Sequence, residues 1–386
     1  MRFSSPSAHP QLRRRRARGP ACALALLACL SGPAALGSAP PATVHPQAPA
    51  ALDIASLGGA LQEAQQSAFF APFTASTHIP LHVARWDGSL AALQDQARSG
   101  SGPAGAGLAI MDDSAALAGC AQGLLLPIDP SAIPALTTGT APLDVDSISP
   151  CGIGAFRTAL VLAWDKSRID IVPTWSAFWD VARRPGKRGL ARDPRGTLEI
   201  ALLADGVAPD ALYRTLGSDS GLDRAFRKLD QLKPYVVWWQ TPAQAVQIIE
   251  TGAVLMTSAP NGEIAVANRA GHRDFGIQWQ QSLSAMLDWV LPGRPPPVNV
   301  SAGPSDREKK AYALLGFMLD PARQADFVAH YPAQSLLRQA PLSDNALPPD
   351  SAEAADHERD ATRIDAAFWA AHMAAIQARF DTWIAR

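Results

Sequence analysis

Two neighbouring apolar runs in the segment Tyr235–Ile264 end in side chains suited to ligand recognition. The first run is β-prone and ends in Trp238 and Trp239, and the second, Ala253–Thr257, is followed closely by Asn261. Ligands of parallel α/β sheets bind beyond the carboxyl ends of strands, so these residues are candidates for a site. The two indoles must alternate faces, so at most one faces a ligand and the other packs in the core. The asparagine can donate or accept a hydrogen bond to a solute, or it can simply form a turn.

The sequence between the two runs predicts the helix that positions them. Thr241 is a good N-cap, Pro242 suits the first helical position, and Gly252 is a natural stop. Strand–helix–strand is the unit of a parallel sheet flanked by helices, and the same alternation recurs from Leu52 onward. Strands are predicted at 52–55, 81–84, 108–111, 159–164, 236–239 and 253–257, and helices at 59–70, 89–98, 115–121, 175–181, 198–204, 221–232, 242–251, 305–319, 321–331 and 361–386. The predicted fold class is therefore α/β, with enough chain for two domains.

Motifs of the common enzyme classes are missing from the sequence. There is no G-x-S-x-G, no phosphate-binding Walker loop and no H-E-x-x-H, and Gly217–Gly221 carries its serine at the wrong place. The glycine-rich Gly102–Gly107 follows no strand directly, so it does not indicate a dinucleotide site. No Cys/His spacing suggests a metal. We therefore predict a protein that is not an enzyme and needs no cofactor.

The N-terminus is typical of an exported protein. A basic block at Arg13–Arg18 precedes the apolar stretch Ala21–Leu30 and a run of small residues, so 1–39 is interpreted as a signal peptide and 40–51 as a linker. The apolar stretch is too short to span a bilayer. The alternative is a basic tail that binds nucleic acid. Leu26–Cys29 also resembles a lipoprotein signal, with Cys29 as the lipidated residue.

Export would change the net charge of the mature chain and would place its cysteines in an oxidising compartment. Loss of the six arginines before residue 40 leaves 28 basic and 35 acidic residues, a net charge of −7 that argues against a nucleic-acid partner and favours cationic ligands. Cys120 and Cys151 are the two cysteines outside the signal. In an oxidising compartment a disulfide is the simplest interpretation, and two buried free thiols are the alternative.

A resemblance to a known family rests on the order of many segments rather than on one motif. The segments are LDIASLGGALQEAQQSAFF, GCAQGLLLPID followed by CGIG, PTWSAFWDVARRPGKRGLARDPRGTLEI, LDRAFRKLDQLKPYVVWW, TGAVLMTSAPNGEI, LDWVLPG, PARQADFVAHYP and FWAAHMAAIQARFDTWI. In this order they resemble the extracellular solute-binding proteins of ABC importers, specifically the spermidine/putrescine-binding type. The similarity runs from Leu52 to the end of the chain.

The resemblance implies a periplasmic, monomeric protein of two lobes that close on a ligand and dock on a membrane permease with its ATPase. It predicts a periplasmic-binding-protein-like fold of type II. The first lobe would comprise 52–156 and 289–340 and the second 157–288 and 341–386, with crossing hinges near Phe156 and Asp288. The expected ligand is a polyamine or a related amine. Carboxylates at its nitrogens and aromatic faces along its methylenes would bind it.

Four candidate ligand contacts lie in the expected first lobe. Gly58 and Gly59 would let the first helix approach the ligand closely, although they can equally form a tight turn. Asp112 and Asp113 follow the strand 108–111, where the resemblance places ligand contacts, and one of them can instead cap the next helix.

The resemblance points to three further contacts. Asp288 in LDWVLPG is the expected partner of an amine, and Tyr331 is expected at the cleft rim. Glu199 matches the ligand region of the second lobe, but its apolar neighbours suggest a buried partner for Arg192 or Arg195 as well.

Departures from the family pattern weaken the polyamine prediction. Leu57 stands where polyamine binders place a tryptophan, Pro260-Asn261-Gly262 replaces a W-N-G sequence, and Glu263 replaces an arginine that many relatives carry. An amino-acid-like or opine-like solute, or an exported enzyme or sensor with the same fold, therefore remains an alternative. A ferric-ion binder is disfavoured because the four tyrosines do not pair in the sequence.

Overall fold

The computed structural model describes residues 50–99, 106–141, 143–271, 273–295, 303–337, 353, 356–357 and 361–386. The predicted signal peptide with Cys29 and nearly all of the predicted linker lie outside these ranges. Within the described part of the chain, no helix has the length and apolar character needed to cross a membrane.

Strands and helices alternate along most of the chain, as predicted. The strands are β1 (Leu52–Ser56), β2 (Leu81–Arg85), β3 (Leu108–Asp112), β4 (Ile148–Ser149), β5 (Gly152–Asp165), β6 (Arg188–Ala191), β7 (Val236–Trp239), β8 (Met256–Pro260), β9 (Phe275–Val290) and β10 (Thr362–Arg363). The α-helices are α1 (Gly59–Gln65), α2 (Ala71–Thr77), α3 (Leu90–Ser99), α4 (Asp113–Ala121), α5 (Pro134–Thr137), α6 (Trp175–Trp179), α7 (Pro194–Ala204), α8 (Leu212–Leu216), α9 (Asp219–Leu232), α10 (Pro242–Glu250), α11 (Asn261–Arg269), α12 (Asp306–Met318), α13 (Pro321–His330) and α14 (Ala366–Ile384). A π-helical stretch, Gln66–Phe70, joins α1 to α2.

One mixed sheet joins the two halves of the molecule. Its order is β2-β1-β3-β9-β5-β8-β6-β7, with β4 beside β5 and β10 beside β9. The β2-β1-β3 and β8-β6-β7 groups are each parallel, whereas the long β5 and β9 run antiparallel to each other and to their outer neighbours β8 and β3. The predicted strands include none over 275–290, so the antiparallel centre was not predicted, although crossing hinges were expected near Phe156 and Asp288. Two long strands therefore cross from one half to the other.

Two hydrophobic cores lie on either side of this crossing. The first lobe is built around β1–β3 and receives Ile153 and Phe156 from β5. The second lobe is built around β6–β8 and receives Leu162 and Trp164 from the same strand. Shifts in β5–β9 register occur between Gly154 and Phe156 and between Leu160 and Leu162. The lobe bounds at Phe156 and Asp288 stay a prediction.

Most of the local predictions around Trp238 and Trp239 are confirmed. Thr241 caps α10 in a capping box with Gln244, and Pro242 occupies the first helical turn. The second strand begins later than predicted, at Met256. The turn considered as the alternative role of Asn261 is not observed, because α11 starts at this residue.

The predicted disulfide is present. Cys120 at the end of α4 is bonded to Cys151, which precedes β5, with their Cα atoms 5.7 Å apart. The bond ties a helix of the first lobe to the start of a crossing strand.

Removing this bond should destabilise the protein without altering the fold. The two cysteines are 31 positions apart in the sequence, and a loop of that size predicts a loss of about 3–4 kcal/mol in unfolding free energy. Urea titration of the Cys120→Ser/Cys151→Ser double variant measures this loss. Equal midpoints for the variant and the unreduced wild type would contradict it.

Candidate functional site

Three aspartates of the first lobe and of the crossing strands gather where the two lobes meet. Asp112 ends β3, Asp113 begins α4, and Asp288 lies on β9, where its backbone pairs with Met111 and Gly154. Asp112 also caps α4, since its Oδ1 accepts a hydrogen bond from Ala115 N at 2.9 Å. The capping role considered for one of the two sequential aspartates is thus filled by Asp112.

Burial and mutual repulsion make two of these carboxyl groups weak acids. Burial, together with the charge of Asp112, raises the pKa of Asp113 to about 7. Burial and the charges of Asp113 and Asp112 raise the pKa of Asp288 to about 8. The Oδ1 atom of Asp288 is buried and has no hydrogen-bond partner among the described residues. An unpartnered carboxylate in an acidic cluster favours binding of an ammonium group.

A glycine lets the backbone approach Asp288 closely. A Cβ atom on Gly152 would lie 2.8 Å from Asp288 Oδ2, too close for any larger residue without movement. The start of β5 therefore packs directly on the carboxylate, which holds that side of it fixed.

An arginine from the second lobe completes this cluster. Arg195, in the first turn of α7, forms an ion pair with Asp112 and donates from Nη1 to Ser114 Oγ at 2.9 Å. Asp193, which caps α7, lies 3.5 Å from its Nη2. Arg157 of β5 is also buried, and its charge opposes the raised pKa values of Asp113 and Asp288. The site thus combines four aspartates with two arginines, and Arg195 connects the lobes directly.

The Gly58–Gly59 end of the cleft forms a second contact between the lobes. Both glycines have positive φ, 79° and 64°, which L side chains rarely adopt. Glu263 of α11 faces them, and its Oε1 accepts a hydrogen bond from Leu61 N at 3.4 Å. An open cavity of about 490 Å³ lies beside this contact, and its lining includes both glycines and Arg85.

The two tryptophans point to different surroundings, as strand alternation predicts. Trp238 packs edge-on against Phe380 and Trp383 of α14, with ring centroids 5.8 and 6.0 Å away. Trp239 is 8% exposed, and its Nε1 has no hydrogen-bond partner within the described ranges. Trp239 therefore has a buried indole N–H without a protein partner in that part of the chain.

Protein partners already occupy two of the predicted ligand contacts. Asn261 accepts hydrogen bonds from Thr158 Oγ1 and Ala159 N, both at 2.9 Å, and donates to Pro332 O at 2.8 Å. Tyr331 is 2% exposed and packs on the ring of Phe156 in the first core. Both side chains hold β5 against neighbouring segments. Because Tyr331 is buried in the first core, the expectation that it lies at the cleft rim is wrong.

Glu199 lies in the core of the second lobe. It is fully buried, and its carboxylate accepts hydrogen bonds from Trp369 Nε1 at 2.7 Å, Tyr213 OH at 3.0 Å and Gly196 N at 2.8 Å. These three donors replace the arginine partners considered from the sequence. Burial raises the pKa of Glu199 to about 7. The residue links α7, α8 and α14.

Glu199→Ala should therefore act on stability rather than on binding. Loss of the carboxylate leaves buried donors unpaired, and we expect the unfolding free energy to fall by about 3 kcal/mol. Ligand affinity of the folded variant should stay within a factor of about two of the wild type. Denaturant titration and calorimetry measure the two quantities, and a large loss of affinity in a stable variant would contradict this role.

The residues that sequence reasoning missed are those contributed across the cleft. Arg195 and Glu263 were noted, the first as a partner for Glu199 and the second as a departure from a family pattern. Arg157 carried no signal, because a lone arginine in a β-prone run is indistinguishable from a surface residue.

Comparison with known proteins identifies the family. The family model of bacterial extracellular solute-binding proteins matches residues 68–357. A gamma-aminobutyric acid-binding protein of Pseudomonas aeruginosa is 32% identical over 342 residues, which cover 87% of this chain and 91% of that protein. An ABC transporter substrate-binding protein from Bradyrhizobium japonicum is 27% identical with a TM-score of 0.72, covering 86% of this chain and 99% of that one.

A spermidine/putrescine-binding structure is more distant. The substrate-binding protein PotD from Streptococcus pneumoniae is 16% identical with a TM-score of 0.60, and 87% of this chain covers 99% of it. At that identity the likeness shows the fold alone. The two-lobed fold and the non-enzymatic class follow from the nearer relatives. The chain belongs to the bacterial extracellular solute-binding protein family, whose members serve ABC transporters.

Proposed function

We propose that this protein captures a small solute bearing an ammonium and a carboxylate group, with γ-aminobutyrate as the first candidate, and delivers it to an ABC permease and its ATPase. The observation that carries the proposal is the Asp288 carboxylate, buried and unpartnered beside Asp113, with Arg195 opposite in the second lobe. The aspartate cluster suits the ammonium group, and Arg195 suits a carboxylate.

The relative of known specificity supports this class of ligand. The Pseudomonas aeruginosa protein is named for γ-aminobutyric acid, and 32% identity covers most of both chains. The buried indole N–H of Trp239 is a further donor for a carboxylate oxygen. These features favour the amino-acid-like alternative over the polyamine that the sequence resemblance first suggested.

A polyamine is the second candidate because acidic groups outnumber basic groups at the site. Four aspartates (Asp112, Asp113, Asp193 and Asp288) face two arginines, Arg157 and Arg195. A solute with two or more ammonium groups would neutralise this excess without needing a carboxylate partner.

Thermal denaturation with a panel of solutes separates the two candidates. The panel contains γ-aminobutyrate, putrescine, spermidine, a neutral amide and a dicarboxylate. Ligand at one hundred times its dissociation constant stabilises the protein by about 2.7 kcal/mol, which gives a clear rise in melting temperature. We expect γ-aminobutyrate to produce this rise and the neutral and acidic controls to produce none. A rise with a dicarboxylate alone would refute the proposal.

Family membership places the protein outside the cytoplasmic membrane. We propose that residues 1–39 direct this export and are removed, and that the mature protein acts as a monomer. N-terminal sequencing of the protein recovered from the producing cell checks the first point, and a blocked N-terminus at Cys29 would indicate the lipoprotein alternative.

A further inference from the structure

Glu263 is a buried acid that contacts the opposite lobe without a basic partner. The residue is 4% exposed, and no Lys, Arg or His nitrogen of the described chain lies within 4 Å of its carboxylate. It belongs to α11, which follows β8 of the second lobe, whereas its hydrogen-bond donor, Leu61 N, belongs to α1 of the first lobe. The backbone amide of Ala60 also lies close enough to this carboxylate to lower its pKa. The contact therefore joins α1 of the first lobe to the helix that follows β8.

The surroundings of this carboxylate are closely fitted. A Cβ atom on Gly59 would lie 3.2 and 3.3 Å from its two oxygens and 3.3 Å from Ala243 Cβ of the second lobe. A glycine is thus needed for α1 to reach both α10 and α11. The other charged groups that act on this carboxylate are Glu63 and Arg85, and their opposite charges offset each other. The net charge at the contact is therefore that of Glu263.

We propose that Glu263 is a specificity-determining clasp, whose carboxylate takes the Ala60 and Leu61 amides as the cleft closes and so excludes anionic groups of a solute from the Gly58–Gly59 end. The two amides would otherwise be free to bind a carboxylate of the ligand. With Glu263 in place, the Ala60 and Leu61 amides are already bonded when a second carboxylate of a ligand arrives. The negative charge of Glu263 also repels that carboxylate. The choice of ligand in this inference rests on the proposed function. The contact between Glu263 and the start of α1 does not depend on it.

The selectivity of the clasp is tested with two solutes that differ by one carboxylate, γ-aminobutyrate and L-glutamate. Wild-type protein should bind γ-aminobutyrate more tightly. In Glu263→Ala the amides become available and the repelling charge is gone, so the affinity ratio should narrow by at least about tenfold. Glu263→Gln keeps an oxygen acceptor and should give an intermediate ratio. Glu250→Ala, which removes an exposed charge from the same lobe, should leave the ratio unchanged.

The closing role is tested without any ligand. Small-angle X-ray scattering of ligand-free Glu263→Ala should give a larger radius of gyration than the wild type, and Glu250→Ala should give the wild-type value. An unchanged radius together with an unchanged affinity ratio in folded Glu263→Ala overturns the clasp. If the wild type binds neither solute, the proposed function fails, and the scattering comparison alone decides whether Glu263 holds the lobes together.

Discussion

Asp288→Asn is expected to weaken binding of an ammonium-bearing solute about a hundredfold without lowering thermal stability at pH 7. Loss of a charge-assisted hydrogen bond typically costs about 2–3 kcal/mol, which corresponds to that change in affinity. Stability should not fall, because Asp288 Oδ1 has no partner in the described chain and its raised pKa already keeps the group mostly neutral near pH 7. Asparagine has nearly the same shape and no charge to bury.

Isothermal titration calorimetry and thermal denaturation of the same preparations measure both halves of this prediction. Asp210→Asn is the matched control, because it makes the same substitution at an exposed position of the second lobe. Wild-type affinity in Asp288→Asn would show that the ammonium is held elsewhere. If an anionic solute is the one that stabilises the wild type, the carboxylate assignment is wrong and Arg157 and Arg195 form the recognition group.

Helices and strands that are determined by a few adjacent residues could be predicted from the sequence. Thr241 and Pro242 start α10 as predicted, since a side-chain cap and a missing N–H act over one turn. The strand that ends in Trp238 and Trp239 was predicted for a similar reason, namely its β-branched and aromatic composition. The cysteine pairing followed from compartment and number rather than from geometry.

The central strand β9 could not be predicted in the same way. Its first half is rich in glutamine and serine, and Gln281 has a positive φ of 59°, so the apolar alternation expected of a strand is interrupted. Its partners in β5 lie more than a hundred residues away in the sequence, at register positions such as Asp165↔Phe275. Pairing with both neighbours stabilises this strand, which local propensity alone does not favour.

The proposed binding site shows the same division between local and distant information. Asp112, Asp113 and Asp288 were predicted because strand ends and a family segment mark them. Arg195 was not assigned to the cleft, because its contact with Ser114 joins residues 81 positions apart across two lobes. Asn261 was expected to hydrogen-bond a solute, but its observed partners Thr158 and Pro332 are parts of the protein. Sequence shows which side chains can bind; only the fold shows which are already bound.

Affinity and stability are expected to change in opposite directions with pH. Four acids, buried or partly buried, have pKa values raised to about 7 or 8 in the folded protein: Asp113, Glu199 and Glu263 to about 7 and Asp288 to about 8. The unfolded chain releases these protons near pH 4, so between pH 4 and 8 the folded state binds more protons than the unfolded state. The unfolding free energy of the ligand-free protein should therefore fall as pH rises through this window, and the melting temperature at pH 8 should be several degrees below that at pH 6, on the order of 3 °C or more.

Binding of an ammonium group reverses this dependence, because it requires the ionised form of Asp288. Below pH 8 the ligand must displace a proton, so affinity should rise with pH by up to about tenfold per unit between pH 6 and 8. Calorimetry in buffers of different ionisation enthalpy should detect about one proton released per ligand bound at pH 6.5. In Asp288→Asn most of the dependence of affinity on pH should disappear. The fall in stability above pH 6 should partly persist, because Asp113, Glu199 and Glu263 still titrate. An affinity that is flat with pH in the wild type would mean that the ammonium group of the ligand does not meet Asp288.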